Sequence, residues 1–126
     1  MMKDTSVEEK IISKYEQNIR KNEDALDAVR HKEADLERQE DNLHAMRMHL
    51  SRYCDEQREK YAGTDEVLRY NRMESDIHEL TALSRKLLDK EHEELEKEKK
   101  RLCNQQEKIH EEYRSEIRAY RSKEEH

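Results

Sequence analysis

The chain has 126 residues, of which 46% are charged and 32% hydrophobic, with no Trp, no Phe and a formal net charge of −6. So few apolar side chains exclude a thick globular core, and 26 basic residues set against 32 acidic ones, shared evenly by the two halves, leave no basic face for nucleic acid. The near balance of charge and the regular recurrence of the apolar residues point to long helix rather than disorder.

The opening residues Met1-Met2-Lys3-Asp4-Thr5-Ser6 carry no apolar core segment, and no later run is long enough to span a bilayer, so a cytoplasmic start and no membrane span are expected. Ser6-Val7-Glu8-Glu9 reads as a capping box, which predicts a first helix over 7–62. Within it, Tyr15, Val29, Leu36, Leu43 and Leu50 fall in one seven-residue series. Ile12, Ile19, Leu26, Cys54 and Tyr61 form the companion series, and the two together make a narrow coiled-coil seam interrupted by Asn22, Glu33, Glu40, Arg47 and Gln57.

Gly63 is the single glycine of a chain that has no proline, and it stands at the midpoint. Glycine and proline are the strongest punctuators of regular structure, so the turn is expected at 63–64 and nowhere else. A second helix over 65–122 follows, with Thr64 as its N-cap and Asp65 and Glu66 favourable to the positive end of the helix dipole. Its seam is read as Val67, Tyr70, Met73, Ile77, Leu80, Leu83 and Leu87, then Leu88, Leu95, Leu102 and Ile109, with a stutter where the two frames meet. Tyr113, Ile117 and Tyr120 thicken it again near the end.

The fold class is therefore all-α: one antiparallel two-helix hairpin, a coiled coil over residues 1–126 with its turn near Gly63. Folding there brings Leu50 opposite Ile77, Leu43 opposite Leu83, and Leu26 opposite Lys100. The half-filled seam beyond the turn asks for additional helices, from a second copy of the chain or from a partner. Cys54 and Cys103 lie too far apart along such a hairpin to bridge, which suits a reducing compartment.

Little in the sequence points to catalysis. The seven histidines include no pair at the i, i+4 spacing that sets two imidazoles on one helix face, and there is no Cys-x-x-Cys, no phosphate-cradling glycine loop and no nucleophile on a tight turn. Abundant carboxylates become acid and base only in a cleft that perturbs them, and two slender helices offer none. The expectation is a protein that is not an enzyme and has no catalytic residue, no metal site and no cofactor.

The step Tyr61-Ala62-Gly63 between two long helices resembles the Trp-x-Gly turn of the helical-hairpin proteins of the type VII secretion pathway, and Tyr120-Arg121-Ser122-Lys123-Glu124 resembles that pathway's Tyr-x-x-x-(Asp/Glu) signal. Arg52-Tyr53, the polar Leu-rich stretch from Leu80 to Leu102, and Glu111-Glu112-Tyr113-Arg114 are similar to the LXG-associated α-helical proteins of that pathway. The resemblance implies an adaptor or chaperone that binds the helical N-terminal domain of an LXG-type toxin, with a second small helical protein as a further partner, and it leaves open export together with that partner. On this reading the partner-binding residues are Leu26, Val29, Leu36, Leu95 and Leu102, with Tyr53, Tyr61 and Gly63 toward the turn and Tyr113, Tyr120 and Glu124 toward the C-terminus. Length and polarity also suit a FliJ-like stalk of a flagellar or type III export ATPase, or a homodimeric coiled-coil spacer.

Overall fold

The computed structural model describes residues 2–124. It is all-α, with α1 spanning Met2–Lys60 and α2 spanning Glu66–Glu124, and the two helices pack against each other as an antiparallel hairpin. Helix α1 is already running at Met2, so Ser6 lies inside it and does not start it; nothing before Val7 breaks a helix, and a capping box cannot stop one.

The turn occupies residues 61–65. Gly63 has φ 81°, the left-handed conformation that glycine enters without a Cβ clash. Around it the Tyr61 amide donates to the Gln57 carbonyl at 2.9 Å and the Thr64 amide donates to the Tyr61 carbonyl at 3.1 Å. The Thr64 hydroxyl also donates to the Tyr61 carbonyl, at 2.7 Å. That bond seals the end of α1, whereas the sequence places the Thr64 oxygen as an acceptor at the start of α2. The last turn of α1 carries Arg58 and Lys60 and the first turn of α2 carries Glu66, each sign suiting the dipole it meets.

Two compact units divide the hairpin, one formed by Lys32–Glu94 around the turn and the other by the segments up to His31 and from Leu95. In the terminal unit, Leu26, Val29 and Leu102 form a buried cluster with Ala25 and Leu95 packed against it. Asn22, 4% exposed, sits in the same seam and donates from Nδ2 to the Leu102 carbonyl at 3.0 Å. The Tyr15 ring stacks on Tyr113 with centroids 4.1 Å apart, and the Tyr15 hydroxyl lies 2.6 Å from His110 Nδ1. Lys14–Glu116 and Arg121–Glu8 add exposed ion pairs across the helices.

In the unit around the turn the buried residues are Leu36, Cys54, Tyr70, Ile77 and Thr81, with Glu74, Ser84 and Leu88 half-buried. The Thr81 hydroxyl donates back to the Ile77 carbonyl at 2.6 Å, which lets a polar side chain occupy the seam without an orphaned donor. Leu80, Leu83 and Leu87, read from the sequence as seam residues, are 64%, 54% and 66% exposed. This corrects the expected frame. The series Glu74, Thr81, Leu88 holds the seam here, and Leu95 and Leu102 hold it in the terminal unit.

Candidate docking surface

The two flanks of the seam in the Lys32–Glu94 unit differ in chemistry. On one flank, polar side chains link the helices. His92 Nε2 lies 2.7 Å from Glu40 Oε1, an Arg47 N–H donates to His78 Nδ1 at 3.1 Å, and the Ser51 hydroxyl donates to Glu74 at 3.2 Å. Arg58 pairs with Asp55 on its own helix and lies 3.9 Å from Glu74 across the seam. Cys54 is fully buried beside this network, and burial, reinforced by a hydrogen bond to Glu74, pushes its thiol pKa up.

The other flank is aromatic and aliphatic. Tyr70 is its centre, with Tyr53 edge-on at 6.2 Å and Tyr61 stacked at 5.9 Å, an arrangement that adds aromatic attraction to area burial. Burial, then the neighbouring Tyr53 and Tyr61, raises the pKa of the Tyr70 hydroxyl. Met46 and Tyr53 on α1, and Met73, Leu80 and Leu87 on α2, occupy the positions beside the seam that share one flank in an antiparallel pair. Leu83, one helical turn from both Leu80 and Leu87, completes a stripe at i, i+3, i+7 spacing on α2. Met46 is 59% and Tyr53 43% exposed, so this flank reaches solvent along both helices.

The residues expected to touch a partner are divided by these positions. Leu26, Val29, Leu36 and Leu102 are buried and Leu95 is packed on the terminal cluster, so these side chains are taken up by the hairpin's own seam and do not form an outward face. Tyr53 and Tyr61 meet at Tyr70, near Gly63. Tyr113 is stacked on Tyr15, and the Tyr120 hydroxyl donates to Glu124 at 2.9 Å one turn on, within the last turns of α2.

The spacing of Leu80, Leu83 and Leu87 in the sequence places them in the seam, and the structure turns them outward. The signal that could have found them is the adjacency of two leucine-bearing seven-residue series on α2, Leu80/Leu87 beside Leu88/Leu95/Leu102, of which one seam can take only one. Among the described residues no group of three or more His, Cys, Asp or Glu is arranged to hold a metal ion, and no helix is long and apolar enough to cross a membrane. No family model matches this chain, and no curated protein or solved structure is significantly similar to it.

Proposed function

We propose that the protein is a non-catalytic helical adaptor that works by docking helices of a protein partner along the Leu80-Leu83-Leu87 flank. The observation that carries this reading is the placement of three leucines outside the seam while Glu74, Thr81 and Ser84 lie in it. Burying the leucines would favour the hairpin by about 1.5–3 kcal/mol each, so a helix phase that leaves them out keeps an apolar surface for another molecule.

The finer reading takes the partner to be the helical N-terminal domain of an LXG-type toxin bound for type VII secretion, with the adaptor meeting it in the cytoplasm, where both thiols stay reduced. Support for it comes from Tyr61-Ala62-Gly63 at the turn and from Tyr120 and Glu124 near the C-terminus, together with the family likeness of the Leu-rich stretch. The partner face moves from Leu26, Val29, Leu36, Leu95 and Leu102 to the exposed stripe, because the former are already covered.

Co-expression with the helical N-terminal domain of an LXG-type toxin tests both levels. The expected result is a complex that survives about 0.5 M salt, as an apolar contact should, and is lost in Leu83→Asp without loss of helical circular dichroism. Binding retained by Leu83→Asp would refute the face, and absence of any complex with the wild-type chain would refute the toxin assignment.

A further inference from the structure

We propose that the Leu80-Leu83-Leu87 stripe is closed by a second copy of this chain, the two α2 helices lying antiparallel about a two-fold axis at Leu83. The proposal rests on reading this flank as a helix-docking face and names the occupant that its own charges select.

Along α2 the exposed positions in line with Leu83 carry acids on one side and bases on the other: Asp76 and Glu79 precede it, Lys86 and Lys90 follow it. Among the described residues none of these four is engaged in an ion pair, whereas Asp27, Asp35 and Glu98 each hold an arginine three residues away on their own helix. A two-fold axis at Leu83 with the helices antiparallel sets Asp76 against Lys90 of the copy, Glu79 against Lys86, Leu80 against Leu87, and Leu83 against itself. One turn farther out, Arg72 comes opposite Glu93 in the same way. Each of these facing charge pairs is opposite in sign, and each occurs twice, as an isologous contact demands. A parallel arrangement would instead oppose Asp76 to Asp76 and Lys90 to Lys90, which like-charge repulsion disfavours. A foreign helix imposes no reason for this mirror order of charge on a single strand; a second copy does.

The dimensions agree. The stripe runs about 10 Å along α2, at 1.5 Å per residue, and its 3-then-4 spacing is that of a bundle seam crossing at roughly 20°. The three leucines with Met46 and Tyr53 offer on the order of 400 Å² of apolar surface per copy, the size at which an exposed patch marks a contact. With the charged rim included, a pair buries on the order of 1,000 Å² in total, the lower edge of specific interfaces, so the dimer is expected to dissociate in the micromolar range. Because the stripe is shared, self-association and capture of a foreign helix on this flank exclude each other.

Sedimentation equilibrium with two charge-reversed variants tests the proposal. Asp76→Lys/Glu79→Lys leaves only bases around Leu83 and Lys86→Glu/Lys90→Asp leaves only acids, so each alone should dimerise about tenfold or more weakly than wild type. Mixed in equal amounts, the two should form a heterodimer with affinity within about threefold of wild type, since every facing pair is again opposite in sign. In a Cys103→Ser background, Leu83→Cys should oxidise to a cross-linked dimer because the axis brings the two thiols together, while Leu68→Cys, more exposed but off this flank, should not.

A wild-type chain that stays monomeric at about 200 μM, well above a micromolar dissociation constant, would overturn the proposal. So would a mixture no tighter than either variant alone, or failure of Leu83→Cys to cross-link. If the dimer fails while Leu83→Asp still abolishes binding of the toxin domain, the second copy falls and the adaptor reading stands; a dimer with no toxin complex gives the reverse.

Discussion

Replacing Asn22 by Leu should stabilise the protein. Asn22 is 4% exposed in the seam of the terminal unit, and its Nδ2 donates to the Leu102 carbonyl and lies 3.5 Å from Gln106 Oε1. Its Oδ1 is buried with no protein partner. Loss of the hydrogen bond costs about 1 kcal/mol. Removal of the buried, unpaired acceptor recovers about 1–3 kcal/mol, and the added aliphatic carbons contribute about 1.5 kcal/mol.

The Leu102 carbonyl lies within α2, so it need not depend on Asn22 for a partner. An open groove of about 660 Å³ bordered by Ala25 and Leu102 gives the larger side chain room. The net expectation is a gain of about 2 kcal/mol, or about 5–10 °C in thermal midpoint for a chain of this size. Urea and thermal unfolding followed by circular dichroism at one fixed protein concentration measure it. A loss of stability would refute the account and would mean that Asn22 holds the register of the seam, the role a buried seam Asn has in coiled coils.

Leu36→Ala, at a 3% exposed seam position, should cost about 2–4 kcal/mol, whereas Leu83→Ala should change monomer stability by less than about 0.5 kcal/mol; urea unfolding of the two distinguishes a seam leucine from a docking leucine. Gly63→Ala should cost about 1–2 kcal/mol for its left-handed φ and keep the hairpin, since a Cβ there meets nothing within 4 Å; a chain that opened into one continuous helix on small-angle scattering would refute this. Under native conditions a thiol reagent should label exposed Cys103 rapidly and buried Cys54 only as the chain unfolds. Burial raises the pKa of Cys54 and of Tyr70 in the folded state, so their contribution to stability is complete at neutral pH and is lost as pH rises through the alkaline range. Urea midpoints should therefore fall between about pH 8 and 11, and Cys54→Val should flatten the earlier part of that fall.

The absence of proline and the single central glycine determined that two long helices meet at one turn, because no other position interrupts α1 or α2. The alternating three- and seven-residue spacing of Leu26, Val29 and Leu36 likewise determined their burial. The boundaries were less legible: a cap motif at Ser6 is permissive where the preceding residues also favour helix, and the Thr64 hydroxyl chose the carbonyl it could reach in the turn.

The phase of α2 was not determined by the sequence. Leu80, Leu83 and Leu87 and the series Thr81, Leu88, Leu95, Leu102 lie one residue apart, and neighbouring residues point about 100° apart around a helix. A straight helix cannot present both sets to one partner helix. With Tyr70 and Ile77 buried and Leu102 packed on Leu26 and Val29, the seam takes the second series, accepting Glu74, Thr81 and Ser84 with it. The tertiary structure alone made that choice, and by making it turned three seam leucines into a surface.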